Sequence, residues 1–290
     1  MSVRIIPRLD IKGPNLVKGI HLEGLRVLGK PERFARYYYE QGADELIYMD
    51  VVASLYQRNS LHEIVTRTAN EIFIPLTVGG GLRSLDDINR VLRAGADKVA
   101  LNTAVIANPD LITEAAHRFG SSTIVVSIEA IRVAPGKYEA FTDNGRECTG
   151  IEVRGWAIRA AEMGAGEILV TSVDREGTGK GYDIELTRMI ADAVPIPVIA
   201  AGGAGRLSDI EDVVQAGNAN AVGIASILHY NFIRCHFAEG DYSSEGNVEY
   251  LRNPRGFSKI EDCSLPEVKS YLHDQGISCR LDSMEPRRAG

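Results

Sequence analysis

The chain has 290 residues, 44% hydrophobic and 24% charged, and its formal net charge is −7. This composition is typical of a globular protein with a sizeable core and excludes a chain dominated by disorder. The acidic balance argues against nucleic acid as a partner and favours small molecules or proteins. No apolar run approaches the roughly 18 residues of a membrane helix. Residues 1–7 carry no signal-peptide pattern, so we expect a cytoplasmic protein.

Short apolar runs alternate with longer amphipathic ones and are bounded by Gly, Pro or Asp, as in βαβ units. Eight strands are predicted near residues 4–10, 45–51, 73–78, 97–101, 123–129, 167–172, 197–201 and 220–226. Helices are predicted at residues 31–41, 84–93, 109–119, 208–215 and 265–275. Ser84 and Ser208 each stand three residues before a carboxylate, which predicts that they cap two of these helices.

Three segments recur at one offset of 122 residues. Residues 42–51, 75–80 and 94–96 return as residues 164–173, 197–202 and 216–218. A shared offset predicts two structurally equivalent halves. Together with the strand count, it predicts an α/β fold over residues 1–280, a single (β/α)8 TIM barrel built from two similar half-barrels.

Two stretches interrupt the alternation. Turn residues around an alternating segment predict a β-hairpin inserted near residues 132–145. A Gly, Ser and Asn-rich stretch at residues 231–262 predicts a loop insertion after the eighth strand, either a substrate-contacting lid or simply a mobile loop. Residues 281–290 are expected to form a C-terminal tail.

Two carboxylates follow apolar runs in strands that would lie opposite each other. Asp10 ends the first predicted strand and Glu129 the fifth. Either acid alone is more often an ordinary solvated group, but the symmetric placement favours a general acid and base pair. Asp50 and Asp174 are weaker candidates that we expect to orient loops.

Two sets of small residues precede helix starts in matching positions of the two halves. The first anion set consists of Gly81, Asn102 and Thr103, and the second anion set consists of Gly177, Gly203, Ala225 and Ser226. Glycine lets backbone N–H groups approach an anion, and helix N-termini favour negative charge. The sets predict a phosphorylated or otherwise anionic substrate, although isolated glycine pairs usually mark turns.

Charged residues also occur at the starts of four strands: Arg4, Glu45, Lys98 and Glu167. They form either a solvated face or a ring of salt bridges that closes the bottom of the barrel. The four cysteines lack C-x-x-C spacing, so no zinc site or disulfide framework is indicated, and neither a metal nor another cofactor is expected.

These residues resemble the cyclase subunit of imidazole glycerol phosphate synthase. The resemblance rests on residues 9–12, 17–19, 42–45, 77–81, 95–98, 102–103, 171–183 and 201–205. It implies that Asp10 and Glu129 are catalytic, that Lys18 lies on an active-site loop, and that the two anion sets bind phosphates. It also implies that the four strand-start charges gate ammonia from a docked glutaminase subunit.

The sequence departs from that family near the substrate. Glu129 stands where the family has Asp, and residues 13–15 read Gly-Pro-Asn after the lysine. These departures resemble a branch linked to surface polysaccharides, which implies acetamido-to-acetamidino conversion on an amino sugar with a separate sugar amidotransferase. The alternatives are cyclisation of PRFAR with ammonia in histidine biosynthesis, and a non-catalytic ammonia conduit.

Overall fold

The computed structural model describes residues 2–53, 61–236 and 260–281, and within these ranges twelve strands form one sheet. The strands are β1 Arg4–Lys12, β2 Asn15–Ile20, β3 Glu23–Gly29, β4 Leu46–Asp50, β5 Leu76–Gly79, β6 Lys98–Leu101, β7 Ile124–Ala134, β8 Lys137–Thr142, β9 Glu147–Glu152, β10 Glu167–Ser172, β11 Val198–Ala201 and β12 Ala221–Ile224. The helices are α1 Pro31–Glu40, α2 His62–Ala69, α3 Leu85–Arg93, α4 Thr103–Ala107, α5 Asp110–Phe119, α6 Val153–Glu162, α7 Ile184–Ala191, α8 Leu207–Gln215, α9 Ser226–His236 and α10 Leu265–Asp274.

Eight of the strands close into a parallel barrel surrounded by helices. Their order is β1, β4, β5, β6, β7, β10, β11 and β12, and β12 pairs with β1 to complete the ring. This confirms the predicted (β/α)8 barrel. Along β1 the side chains alternate, so that Ile5 and Leu9 pack under the helices while Ile6 faces the barrel lumen.

The two halves repeat in the structure as they do in the sequence. Helices α1, α2 and α3 recur as α6, α7 and α8, each beginning 122 residues later, and the hairpin strand β2 recurs as β8 at the same offset. Each half therefore has a hairpin, at residues 15–29 and 137–152; only the second was predicted from the sequence, with bounds near 132–145. Strand β3 is largely exposed and lacks an apolar pattern that would have indicated it.

One predicted helix cap is present and the other is wrong. The hydroxyl of Ser84 accepts a hydrogen bond from the backbone N–H of Asp87, which begins α3 as expected. Helix α8 instead begins at Leu207, one residue before Ser208. Its first turn is stabilised by Asp209, whose carboxylate accepts from two backbone N–H groups that precede the helix.

Parts of the chain lie outside the described residues. The loop predicted at 231–262 overlaps α9 at its start, but residues 237–259 fall outside, as do residues 282–290 of the predicted tail. Both assignments therefore stay predictions. In the part that the structure describes, no helix combines the length and apolar character needed to span a bilayer.

A fully buried histidine joins α9 to the first strand. His229 lies 2.7 Å from the hydroxyl of Tyr38 through Nδ1 and 3.0 Å from the carbonyl oxygen of Arg8 through Nε2. Because a carbonyl only accepts, Nε2 carries the hydrogen and Nδ1 accepts from Tyr38. Burial, together with the nearby charge of Lys18, lowers the pKa of His229 to about 3, so the ring is neutral at physiological pH.

We expect this histidine to make the protein sensitive to acid. The unfolded chain binds a proton near the ordinary pKa of 6.5 and the folded chain only near 3, so stability falls as pH drops below 6.5. The loss is about 1.4 kcal/mol per pH unit, or about 2 kcal/mol between pH 6.5 and pH 5. Urea unfolding across this range should show a shallower pH dependence for His229→Gln than for the unchanged protein.

His117→Gln is the matched control, because His117 is exposed on α5. Its pH dependence should match that of the unchanged protein. Equal slopes for the His229 and His117 variants would contradict the prediction.

Candidate functional site

The two predicted acids lie on opposite sides of the barrel at its carboxyl-terminal mouth. Asp10 is on β1 and Glu129 on β7, four strands apart in the closed order of eight. Both are buried, with 3% and 7% of their surface exposed. Neither acid ends its strand as predicted, because β1 and β7 both continue into hairpins, with β2 and β8 respectively. The parallel pairing of the barrel nevertheless stops within one residue of each acid.

A buried arginine, Arg8, lies beside Asp10, and its role was not predicted from the sequence. The Nε of Arg8 donates to Asp10 Oδ1 at 3.0 Å, and one terminal nitrogen donates to Thr171 Oγ1 on β10 at 2.7 Å. Its charge also acts on Glu129. Strand alternation contains the signal that was missed, because Arg8 stands two residues before Asp10 and therefore faces the same side of β1.

Glu129 is set up to exchange a proton near neutral pH. Burial raises the pKa of its carboxyl to about 7, although the backbone N–H of Gly145, the Arg8 guanidinium and the Asn102 amide act in the opposite direction. Gly145 N lies 2.7 Å from Glu129 Oε2. A carboxyl group with such a pKa can act as a general acid or base under physiological conditions.

Lys18 reaches the mouth from strand β2 and contacts a third acid. Its ammonium group forms a buried ion pair with Glu176, in the loop after β10. Burial would raise the pKa of Glu176, but the charges of Lys18 and Arg8 hold it below its ordinary value. Glu176 was missed as a site residue, since only contacts across the barrel reveal it.

The two hairpins meet above the mouth. The backbone N–H of His21 donates to the carbonyl of Glu176 at 2.8 Å, and the side chain of Asn144 donates to the carbonyl of Leu22 at 2.9 Å. The β2–β3 hairpin thus lies across the mouth, where its Lys18 contacts Glu176.

The first anion set lines a cavity of about 370 Å³ that also reaches Glu129 and Arg8. Gly81 lies on the loop after β5, Asn102 directly follows β6, and Thr103 is the first residue of α4. The Asn102 amide donates to the carbonyl of Phe141 at 3.1 Å. Its Oδ1 is buried without a hydrogen-bond partner among the described residues, so this atom is available to a donor on a ligand.

The second anion set lies on the opposite side, on the loops after β10, β11 and β12. Gly177 and Gly203 have positive φ angles, and a Cβ there would lie 2.3 Å from Gly19 O and 2.2 Å from Gly181 O. Loop packing therefore explains both glycines. Ala225 directly precedes α9 and Ser226 is its first residue, and binding of an anion by these four residues stays a prediction.

Four strand-start charges form a closed ring at the opposite end of the barrel, which we call the charged ring. Arg4 lies 2.6 Å from Glu45 and 3.1 Å from Glu167, while Lys98 lies 3.0 Å and 2.7 Å from the same two acids. All four side chains are mostly buried, so the alternative of a solvated face is wrong. Each carboxylate contacts both cations, which compensates its burial.

The weaker acid candidates have structural contacts. Asp174 accepts from the backbone N–H of Arg132 at 2.8 Å, and Asp50 accepts from that of Val52 at 3.1 Å. Asp50 also lines the cavity beside Gly81. Across residues 2–53, 61–236 and 260–281, no cluster of three or more His, Cys, Asp or Glu is arranged to hold a metal ion.

Comparison with known proteins shows extensive similarity. The model of the histidine biosynthesis protein family matches residues 4–234. Imidazole glycerol phosphate synthase subunit HisF of Legionella pneumophila is 61% identical over 208 residues, 72% of this chain and 98% of that protein. The HisF subunit of Alkaliphilus metalliredigens is 42% identical over 97% of this chain and 99% of its own length, and that of Streptomyces griseus is 47% identical over 85% and 98%.

Removing the charge of Glu129 is expected to stabilise the fold at alkaline pH. The unfolded chain loses this proton near the ordinary pKa of 4.5 and the folded chain only near 7, so stability declines as pH rises through this window. Glu129→Gln should be more stable than the unchanged protein by about 3 kcal/mol at pH 8 and nearly equal to it at pH 4.5. Denaturant titrations at both pH values measure the difference.

Glu114→Gln, on the exposed face of α5, serves as the control and should change stability little at either pH. A Glu129→Gln protein that is less stable than the unchanged protein at pH 8 would be incompatible with a raised pKa.

Proposed function

Since this chain belongs to the HisF family of imidazole glycerol phosphate synthase subunits, we propose that it is an ammonia-using cyclase subunit. In this proposal it converts PRFAR and ammonia into imidazole glycerol phosphate, AICAR and water in histidine biosynthesis. The ammonia comes from a docked glutaminase of the HisH type. We also propose that it works in the cytoplasm.

The acid pair is the observation that carries the proposal. Cyclisation with cleavage of a carbon–nitrogen bond needs one group to take a proton from the attacking nitrogen. It needs another group to give a proton to the leaving group. Asp10, paired with Arg8, is suited to the first task. Glu129, with a pKa of about 7, is suited to the second.

The surroundings of the acid pair fit a substrate with a phosphate at each end. The two anion sets lie on loops at opposite sides of one mouth, and the acids lie on the strands between them. Lys18 adds a cation from the β2–β3 hairpin. A substrate bridging the two sets would pass directly over Asp10 and Glu129.

The charged ring is the observation that supports the proposal of a glutaminase partner. It lies at the end of the barrel that is opposite the acids, where a docked subunit could release ammonia. Above it the lumen is lined by apolar side chains of Ile6, Ile47, Val125, Leu169 and Ile199. Such a lining suits a small neutral molecule and disfavours ions.

The polysaccharide role favoured by the sequence analysis is now the second candidate. Its support is Glu129 in place of Asp, and residues 13–15. All three relatives carry the name of the imidazole glycerol phosphate synthase subunit, which favours the histidine role instead. A sugar amidotransferase partner belongs only to the second candidate, and a silent conduit would need no acid pair.

The direct test supplies PRFAR and ammonium to the purified protein at alkaline pH. We expect imidazole glycerol phosphate and AICAR in equal amounts, detected by chromatography. Asp10→Asn should lower turnover by about 100-fold or more, because it removes a proton acceptor while keeping the size of the side chain.

Asp44→Asn is a useful control for the chemistry, because Asp44 forms its ion pairs with Lys269 and Arg280, away from the acid pair. It should retain turnover once its folding has been verified. Absence of product with unchanged protein would refute the cyclase proposal and return the amidine role to first place. Turnover unaffected by Asp10→Asn would show that the acids do not act.

The charged ring generates a separate prediction. Lys98→Met leaves both carboxylates with Arg4 alone and opens the ring on one side. In the complex with the glutaminase from the same genome, we expect product per glutamine hydrolysed to fall more than turnover with added ammonium. Arg90→Met removes an exposed cation of α3 and should leave both values unchanged. Equal losses in the two assays for Lys98→Met would argue against ammonia passing through the ring.

A further inference from the structure

Inward-facing side chains of β1 form four successive levels along the lumen. Arg4 belongs to the charged ring, Ile6 to the apolar lining, Arg8 follows, and Asp10 lies at the mouth. Alternate residues of a strand face the same side, so these levels follow one another along the barrel axis. A molecule moving from the ring to the acid pair reaches the level of Arg8 before that of Asp10.

Arg8 extends across the lumen at its level. Its Nε is held on its own strand by Asp10 at 3.0 Å, and a terminal nitrogen is held at 2.7 Å by Thr171 on β10. β10 is three positions away from β1 around the barrel. The guanidinium is buried and also lines the cavity that contains Glu129. It therefore lies between the apolar lining and the cavity at the mouth.

The chemistry of the guanidinium distinguishes ammonia from ammonium. Arginine keeps its positive charge in proteins and has five N–H donors. Among the described residues, the second terminal nitrogen of Arg8 has no hydrogen-bond partner. A neutral ammonia molecule can accept such a hydrogen bond with its lone pair. Ammonium has no lone pair and cannot accept this hydrogen bond.

We propose that Arg8 is a positioning residue that closes the upper end of the lumen and transfers ammonia to the acid pair as the neutral molecule. This inference rests on the proposed function, because it presumes that ammonia travels from the charged ring. It adds a second control point, above the ring, on the same route.

An alternative is that Arg8 anchors an anionic group of the substrate. The surroundings argue against this, because three carboxylates, those of Asp10, Glu129 and Glu176, already act on its charge. An anion would therefore meet a guanidinium that is already compensated. Ammonia needs only a free donor and an opening.

The test compares two variants that keep a cation at this level. Arg8→Lys retains charge beside Asp10 but is not a planar fork able to contact both strands, and Thr171→Val removes only the anchor on β10. Each is assayed as the complex with the glutaminase from the same genome, once with glutamine and once with ammonium, using PRFAR. Arg36→Lys, an exposed arginine of α1 paired with Glu40, is the matched control.

We expect product per glutamine hydrolysed to fall about tenfold in Arg8→Lys, the factor that corresponds to about 1.4 kcal/mol between competing barriers. Turnover with ammonium should fall much less. Thr171→Val should change in the same direction by a smaller factor, and it covers the case in which Arg8→Lys does not fold. In both variants the product per glutamine should rise with pH, because at higher pH more of the ammonia is unprotonated whether or not Arg8 is present.

The proposal is overturned if both variants keep the product per glutamine of the unchanged complex. It is also overturned if KM for PRFAR rises equally in the two assays, since that result identifies a substrate anchor. If the unchanged complex makes no product with either nitrogen source, the proposed function itself is wrong and the role of Arg8 falls with it. A normal Arg36→Lys complex excludes a general effect of the substitution.

Discussion

Compensation of buried charge inside the barrel is the constraint on which the remaining arrangement depends. A carboxylate or guanidinium removed from water costs several kcal/mol unless it is paired with opposite charge. The lumen meets this requirement twice, once in the charged ring and once around Arg8. Between these levels lies a cluster of apolar side chains. Alternate residues of β1 lie at each of these levels, so this one strand supplies side chains to both ends of the lumen.

The repeat explains why the two acids face one another. Asp10 pairs in register with Met49, and Glu129 with Thr171, so the acids occupy equivalent places although they are 119 residues apart rather than 122. The three additional residues of the second half lie above the acids, where β7 has an irregular register with β8. The three-residue difference in length is therefore confined to the hairpin, and both acids lie level with the end of the barrel.

Local pattern was sufficient to predict the fold and the positions of the two acids and of the charged ring. The fixed offset and the alternating runs predicted the barrel, and charge at strand starts suggested the ring. Arg8 and Glu176 could not be assigned in the same way, because their contacts join residues 163 and 158 positions apart. For Gly177 and Gly203 the sequence pattern suggested a ligand, but loop packing alone accounts for both glycines. The choice between histidine and polysaccharide roles rested on few residues, and the relatives shift it towards the first.

The charged ring also has a consequence for the order in which the chain is made. Three of its members, Arg4, Glu45 and Lys98, belong to the first half, and only Glu167 comes from the second. A nascent chain that ends before Glu167 has two cations facing one anion, and its sheet has two open edges. Charge neutrality of the ring and closure of the barrel are therefore reached only late in synthesis, after the second half has emerged from the ribosome.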